Sequence, residues 1–468
     1  MDASYSEVMS KKKEILLRAT GIDYDEFEFS PISFDYERLM NSCGYSLQDV
    51  QKILLETGVG QTQLVELKNL TELVRSIAPS GKGGRIFVKD EAANPSGSFK
   101  DRRAALSIYQ AKKLGYKGVV AASSGNYGAA VASQAAKRGL KSIILQEVYD
   151  NRKVGQPEIL EKTRVCEAYG AEVWQLTVGP ELFYIMLQVL EETRFFSASL
   201  YVPTSILGIE TLGYELANQV LEMEGRFPDA VLITHAGGGN VTGTARGLIK
   251  AGSTQTDVVG VSVDLRGLHM ASDSDFNRKS FTTGHSGFGI PFLTWPDRTD
   301  VPRNCARGLR YLDRYVLVSQ GEVFYTTELL AKLEGMERGP AGNTSLAGAL
   351  AVARELDRDQ ILVVQETEYT AAGKMPSSQL TFAKENGIKV TRGNPRENTP
   401  GKSIVIPERV DQLTVEDFNM EKIRLSYIEN SIRTAADYSL TDQDERFLAE
   451  DSKSSLDQVR EVIQSSNH

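Results

Sequence analysis

The spacing of hydrophobic and polar positions changes at about residue 85 of the chain. Before it, the sequence is charged and mixed, with helical spacing where Leu47, Val50 and Leu54 share one face. Beyond it, short apolar runs rich in β-branched residues alternate with longer segments of helical spacing. This alternation predicts parallel strands connected by helices.

The second part of the chain gives a series of predicted strands and helices. The predicted strands are Arg85–Lys89, Gly118–Ala122, Ser142–Gln146, Glu172–Leu176, Ala230–Thr234, Val258–Val263 and Gln360–Gln365. The predicted helices are the segment after Lys100 and Tyr127–Arg138, Glu158–Tyr169, Glu181–Thr193, Ile209–Glu224, Thr242–Ala251 and Thr344–Leu356. Parallel strands covered by helices on both faces bind ligands where their C-terminal ends enter the following loops, so we expect the site there.

Composition narrows the possible partners. The 468 residues are too many for one simple core and predict two domains with extensions. The net charge of −9 repels phosphate backbones and anionic lipids, so we expect neither a nucleic-acid nor a membrane partner. Three cysteines and four histidines have spacings of neither a disulfide framework nor a metal site, as is typical in a reducing cytoplasm. Because the N-terminal sequence has no basic segment followed by an apolar run, we expect no signal peptide and a cytoplasmic location.

The first loop with residues suited to catalysis lies between a predicted strand and the helix after it. It consists of Asn94–Phe99 followed by Lys100, and Ser98 is the predicted N-cap of the helix. A lysine in the first turn faces the positive end of the helix dipole, which favours the neutral amine that Schiff-base chemistry requires. The alternative is a lysine that extends to solvent. The two further loops favour the chemical interpretation.

The second loop is Ser123–Gly128 (SSGNYG), again between a strand and a helix. Free N–H groups at such a helix start bind an anion, for example a substrate carboxylate. The amide of Asn126 could donate to a phenolate-like oxygen. Taken alone, the segment is equally typical of an ordinary capped turn.

The third loop is Ala236–Gly243 (AGGGNVTG), after the strand Ala230–Thr234. Its three consecutive glycines let the backbone approach a phosphate closely, and the following helix adds its dipole. The loop is no dinucleotide fingerprint, because Thr242 stands where the last glycine is required. It is no Walker loop either, since no Lys-Ser/Thr pair follows. The loop therefore predicts a phosphate site.

In this order, the three loops resemble those of the fold type II family of pyridoxal-phosphate (PLP) enzymes, which includes threonine synthase, cysteine synthase and the tryptophan synthase β chain. The resemblance extends from Thr57–Leu64 through Lys89–Asp101 to about residue 390, with Gln63 in place of the family's usual proline. It implies an α/β fold of two open, twisted, mostly parallel sheets flanked by helices. The active site then lies between two domains.

The resemblance also implies a domain organisation. The expected parts are an N-terminal helical extension (1–57), a large PLP domain (58–102 and 206–400), a small domain (103–205) and a C-terminal helical tail (401–468). The turn-rich segment Gly393–Gly401 is expected to end the catalytic body.

By the same resemblance, the loops supply the site residues. These are Lys100 for the covalent bond to PLP, Asn126 for the hydroxyl oxygen of the pyridine ring, Gly237, Gly238, Gly239 and Asn240 for the phosphate, and Ser124 and Tyr127 for the substrate carboxylate. The partner of the pyridine nitrogen is expected to be Thr367, and Glu366 stays open as its competitor. The choice matters because an acid keeps the ring nitrogen protonated and a hydroxyl does not.

Further segments resemble a thiolase branch of the family. They are Gly21–Tyr24, Gly155–Glu158, Gly179–Tyr184 and Glu210–Glu215. This resemblance implies CoA-dependent cleavage of 2-amino-4-oxopentanoate to acetyl-CoA and alanine in ornithine degradation. It also implies a homodimer of this chain within a hetero-oligomer that includes a small α subunit. His285 could assist the thiol or lie at the substrate, but a structural loop histidine is favoured.

Two alternatives remain open. The first is a threonine synthase-like enzyme or another β/γ-replacement or elimination enzyme, because the cofactor performs the shared steps in all of them. The second is a subunit of this fold that serves as a ligand sensor or scaffold without catalysis. The intact set of Lys100, Asn126 and Gly237–Asn240 disfavours the second alternative.

Overall fold

The computed structural model describes residues 5–149, 153–155, 157–178, 182–264, 290–297, 300–369, 376–399, 401–435 and 437–466. His285, Gln156 and residues 179–181, on which parts of the sequence interpretation depend, lie outside the described residues.

The strands form three sheets within the described residues. In chain order they are β1 (Leu64–Glu66), β2 (Arg85–Asp90), β3 (Gly118–Ala122), β4 (Lys141–Tyr149), β5 (Glu172–Thr177), β6 (Phe196–Ser197), β7 (Ala230–Thr234), β8 (Asp257–Val263), β9 (Arg314–Val318), β10 (Ile361–Glu366), β11 (Lys389–Arg392), β12 (Ser403–Ile406) and β13 (Glu416–Asp417). The largest sheet has the order β1-β2-β10-β7-β8-β9-β13, with parallel strands inside and an antiparallel strand at each edge. A four-stranded parallel sheet has the order β5-β4-β3-β6, and β11 pairs with β12.

Helices connect and cover the strands. They are α1 (Tyr5–Ser10), α2 (Lys12–Thr20), α3 (Tyr36–Asn41), α4 (Leu47–Leu55), α5 (Lys68–Ile77), α6 (Lys100–Lys113), α7 (Asn126–Arg138), α8 (Pro157–Ala168), α9 (Leu182–Thr193), α10 (Pro203–Glu224), α11 (Gly239–Ala251), α12 (Ile290–Thr294), α13 (Gln320–Glu334), α14 (Asn343–Val352), α15 (Pro376–Glu385), α16 (Met420–Thr434), α17 (Asp442–Ser452) and α18 (Leu456–Ser466).

The large sheet separates two apolar cores, because successive side chains of a strand point to opposite faces. Val363 of β10 packs into the core that contains α10 and α11, whereas its neighbours Leu362 and Val364 pack into the core with α5 and α14. Every residue of β10 is buried. This two-sided burial explains why the strand is apolar almost throughout rather than alternating.

The structure confirms the predicted strands and shows where helix bounds differ. Helix α10 begins at Pro203, six residues before the predicted start at Ile209, because a proline at the first helical position needs no N–H partner. Helix α14 ends at Val352 instead of Leu356. The carbonyl groups beyond that end accept hydrogen bonds from the backbone in front of β2, which stops the helix there.

Residues 401–468, predicted as a helical tail, hold strands as well as helices. Strand β12 pairs with β11, and β13 forms the edge of the large sheet beside β9. Side chains of α16, α17 and α18, such as Ile428 and Leu448, belong to the same core as α10. The four-stranded sheet lies within residues 118–197, inside the segment expected as the small domain. The domain borders themselves stay a prediction.

Within the part of the chain that the structure describes, no helix has both the length and the apolar character needed to cross a membrane. The same residues contain no group of His, Cys, Asp and Glu side chains arranged to hold a metal ion.

Candidate active site

Lys100 is the first residue of α6, directly after the loop that leaves β2. Its Nζ lies 4.7 Å from the centre of the Phe99 ring. Gly97 has a φ of 79°, a left-handed conformation that favours glycine and that turns the chain into the helix. The prediction that Ser98 caps this helix is wrong. Phe99 occupies the N-cap position, and the buried Ser98 hydroxyl has no hydrogen-bond partner among the described residues.

The end of β10 lies against this loop. The N–H of Phe99 donates to the carbonyl of Thr367 at 3.1 Å, and the N–H of Tyr369 donates to the carbonyl of Gly97 at 2.8 Å. Both competing partners for a ring nitrogen, Thr367 and Glu366, therefore belong to a segment hydrogen-bonded to the loop of the candidate lysine. Sheet topology causes this arrangement, because β10 and β2 are parallel neighbours and their C-terminal ends coincide.

Glu366 is an unusual side chain at this edge. It is fully buried, and neither carboxyl oxygen has a hydrogen-bond partner among the described residues. Burial, reinforced by the nearby Glu368, raises the pKa of Glu366 well above its ordinary value, which favours the neutral form of this carboxyl group. A Cβ added to Gly342 would lie 1.7 Å from Glu366 Oε1, which shows how closely the backbone approaches this carboxyl group.

The second loop connects β3 with α7. The Ser124 hydroxyl accepts a hydrogen bond of 2.7 Å from the N–H of Glu147, which fixes the loop to β4. Asn126 and Tyr127 begin the helix and are buried, and the side-chain carbonyl oxygen of Asn126 has no partner among the described residues. Burial raises the pKa of Tyr127 to about 12, so its hydroxyl keeps its proton.

Side-chain contacts join this second loop to the first. Gln134 of α7 donates to Asp101 Oδ1 at 3.1 Å, and Asp101 Oδ2 also accepts from the N–H of Ser96 at 2.6 Å. Burial raises the pKa of Asp101 to about 6. One carboxyl group thus holds both the turn before Lys100 and the helix after the second loop.

The third loop connects β7 with α11, which begins at Gly239. Gly238 has a φ of 83°, and a Cβ on Gly237 would lie 2.5 Å from the hydroxyl oxygen of Tyr201. The left-handed backbone therefore favours glycine at Gly238, and a side chain at Gly237 would displace Tyr201. Asn240 is buried and its side-chain nitrogen lacks a hydrogen-bond partner in the described part of the chain. An unsatisfied buried donor at the start of a helix suits an anion.

Two residues near this loop were missed from the sequence. His235 is buried with neither ring nitrogen hydrogen-bonded within the described residues, and burial lowers its pKa to about 4, so the ring is neutral. Arg103 lies on α6 and contacts Gly239: a Cβ there would be 2.2 Å from Arg103 Nη2. A sequence signal for Arg103 existed, because residues three apart on a helix share a face and Arg103 follows Lys100 by three.

These residues fit PLP. A primary amine begins α6, an amide and a buried acid or hydroxyl suit the polar atoms of a pyridine ring, and a glycine turn at a helix start suits a phosphate group. Two buried groups without partners agree with this fit: the side-chain nitrogen of Asn240 is a donor that a phosphate would satisfy, and the carboxyl group of Glu366 is one that a ring nitrogen would satisfy. The fold and the three loops define an open α/β enzyme of the PLP-dependent class.

Comparison with known proteins agrees with this class. The family model described as "Pyridoxal-phosphate dependent enzyme" matches residues 55–366. The chain is 63% identical over 462 residues to the "2-amino-4-ketopentanoate thiolase beta subunit" of an unknown prokaryotic organism, covering 99% of this chain and 98% of that protein. It is 60% identical to the protein of the same name from Acetoanaerobium sticklandii, with the same coverage. The chain therefore belongs to the pyridoxal-phosphate dependent enzymes, in the family of the 2-amino-4-ketopentanoate thiolase beta subunits.

The fold has solved counterparts. The crystal structure of an O-ureido-L-serine synthase with bound O-ureido-L-serine superposes with a TM-score of 0.53 at 20% identity. The match covers 72% of this chain and 94% of that one. At this identity the likeness shows the fold alone, and it confirms the predicted fold type II architecture.

Proposed function

We propose that this chain is the catalytic β subunit of a thiolase that cleaves 2-amino-4-oxopentanoate with CoA, giving acetyl-CoA and alanine. The observation that carries the proposal is similarity over nearly the whole length to two thiolase beta subunits, at 63% and 60% identity. A residue set that fits the cofactor supports it. The reaction belongs to ornithine degradation.

The residues of the three loops and of the end of β10 are proposed to hold the cofactor. Lys100 would hold PLP covalently, Asn126 the hydroxyl oxygen of its ring and Thr367 its nitrogen, while Gly237–Asn240 would hold the phosphate. When bound, PLP supplies an electron sink that stabilises negative charge beside the amino-bearing carbon of a substrate. These groups lie on separate loops of two sheets, so their relative position depends on the packing of α6 against α7 and α10, and of α10 against α11.

The residues of the chain would perform three tasks. The amine of Lys100 would move the proton on Cα of the substrate. The N–H groups at the start of α7, with Ser124 and Tyr127, would hold the substrate carboxylate. Asn126 and Tyr127 are buried, and their surroundings would exclude water from a substrate bound there.

The second substrate brings the thiol. Attack of the CoA thiol on the C4 ketone, followed by cleavage of the C3–C4 bond, places the acetyl group on sulfur and leaves a three-carbon amino acid. A small α subunit is proposed to complete the assembly, together with a second copy of this chain, and the location is proposed to be cytoplasmic.

The decisive experiment is co-expression with the proposed small α subunit, purification and assay with 2-amino-4-oxopentanoate and CoA. We expect acetyl-CoA and alanine in equal amounts, with more product from the complex than from this chain alone. If neither preparation makes acetyl-CoA, the thiolase proposal is wrong. Turnover of O-phosphohomoserine instead would favour a threonine synthase-like activity.

A pair of variants tests the partner of the pyridine nitrogen. If the Thr367 hydroxyl holds it, Thr367→Val should weaken PLP binding about tenfold, as expected for one lost hydrogen bond, and shift the cofactor absorbance. Glu366→Gln should then leave PLP affinity within about twofold. Fluorescence titration of the apoenzyme measures both affinities. The reverse pattern would assign the ring nitrogen to Glu366.

A further inference from the structure

Arg103 is a buried cation whose known contacts are all neutral. It is 4% exposed, its Nε donates to Ser205 Oγ at 2.9 Å, and its Nη2 donates to the carbonyl of Leu200. No carboxylate in the described part of the chain pairs with it, and burial lowers its pKa. Other buried arginines of the chain pair with carboxylates: Arg102 with Glu91, Arg246 with Glu210, and Arg307 with Asp451.

Burial of a guanidinium group without an anion is unfavourable. The position of Arg103 beside the start of α11 increases the cost. A Cβ on Gly239 would lie 2.2 Å from Arg103 Nη2 and 3.2 Å from Nη1, so the guanidinium rests against the first residue of α11. The start of this helix of 13 residues carries a positive partial charge and free N–H groups. Two positive groups thus face each other in the protein interior.

Unsatisfied donors also lie at the loop before α11. The side-chain nitrogen of Asn240 and both ring nitrogens of His235 are buried without hydrogen-bond partners among the described residues, and the neutral His235 ring carries one N–H donor. His235 Nε2 is 3.6 Å from the place of a Cβ on Gly238 and 3.1 Å from that on Gly308. An anion with several acceptor oxygens between Arg103 and α11 would satisfy the cation and these donors together.

We infer that Arg103 binds the phosphate group of the cofactor, adding a charged side chain to the backbone site of Gly237–Asn240. The inference rests on the PLP dependence of the family and not on the thiolase reaction. A phosphate suits the place better than a substrate carboxylate does, because Arg103 contacts the start of α11. Toward α7 it meets the ring of Tyr127, whose centre lies 5.7 Å from Arg103 Cζ.

The test compares PLP with pyridoxal, which lacks the phosphate. In apoenzyme titrations, Arg103→Gln should weaken the binding of PLP by about 10- to 100-fold, as expected for lost charge-assisted hydrogen bonds. It should change the affinity for pyridoxal by no more than about twofold. Arg103→Lys, which keeps the charge but loses the planar fork, should fall between the two. Inorganic phosphate should raise the melting temperature of the wild-type apoenzyme and have less effect on both variants.

Arg246→Gln is the matched control. Arg246, on α11, is buried like Arg103 but pairs with Glu210 and Glu37. It should lower the melting temperature and leave the ratio of PLP to pyridoxal affinity unchanged. An unchanged ratio in both Arg103 variants would overturn the inference. A rise confined to the KM of the amino-acid substrate or of CoA would also overturn the inference, because Arg103 would then bind the substrate carboxylate or the phosphates of CoA. Wild-type apoenzyme that binds no PLP would instead contradict the cofactor assignment.

Discussion

Replacement of Lys100 by alanine is expected to lower turnover by at least about 10³-fold, because both covalent attachment and proton transfer lose their amine. The purified variant should also lack the visible absorbance of covalently held PLP. Absorption spectra after dialysis and the acetyl-CoA assay measure the two effects separately. Gly237–Asn240 is unchanged in this variant, so it should still bind PLP without the covalent bond.

Lys113→Ala is the control for this variant. Lys113 lies in the last turn of the same helix, α6, and is exposed, so its loss should change neither absorbance nor turnover. Small primary amines added to Lys100→Ala should restore part of the activity if the site is folded and lacks only the amine. Absorbance that survives dialysis in Lys100→Ala would show that another residue carries the cofactor.

The parallel strands of the core could be predicted from the sequence because strands buried on both faces are continuous apolar runs. The runs Gly118–Ala122 and Ala230–Thr234 contain no polar residue except Thr234 and match β3 and β7 residue for residue. Each is followed by a glycine-containing loop, and the C-terminal ends of parallel strands are where such loops bind ligands. The three loops could therefore be found without knowledge of the packing.

The edge strands could not be predicted in the same way. Strand β13 is only Glu416–Asp417, two acidic residues without an apolar pattern, and it exists because the backbone of β9 offers free hydrogen-bonding groups at the sheet edge. Strand β12 (Ser403–Ile406) begins just after Gly401, in the segment that was expected to be a helical tail. Pairing partners distant in sequence decide such elements, and local composition does not show them.

Two features of the candidate site also could not be predicted from local sequence. The spacing of three residues from Lys100 places Arg103 on the same helix face but does not show that it lacks a counter-ion, which becomes visible only when the start of α11, more than 130 residues later, lies against it. Ser98 has the residue type of a cap, yet its loop is held by the pairing with Thr367 and Tyr369, and the helix begins without a side-chain cap. Tertiary contacts override local preference at both residues.

The largest expected effect on stability concerns a buried ion cluster beneath Lys100. Arg102 donates to both oxygens of Glu91, at 2.7 and 2.8 Å, and to Glu215 at 3.1 Å. Lys89 also donates to Glu215. Glu91 accepts a hydrogen bond of 2.9 Å from the side chain of Asn94, so the cluster anchors the loop that precedes Lys100.

Arg102→Met should lower the free energy of unfolding by about 3–5 kcal/mol, because it leaves carboxylates buried without their cation. Urea denaturation of the apoenzyme measures the loss without contributions from the cofactor. Arg409→Met is the control, since Arg409 and Asp411 form an exposed ion pair and its removal should leave the denaturation midpoint unchanged. A midpoint for Arg102→Met equal to that of the wild type would show that the cluster adds nothing to stability.

The stability of the wild-type protein at acidic pH should depend on the same cluster. Burial alone would raise the pKa of Glu215, but Arg102 and Lys89 lower it from 4.5 to about 2. Because the folded carboxyl group binds a proton less readily than the unfolded one, its stabilisation is complete above pH 4.5 and is lost as the pH falls toward 2. Arg102→Met removes the larger of the two cationic influences, so its stability should fall less steeply over that range. Equal slopes for the two proteins would mean that other carboxyl groups govern the acid sensitivity.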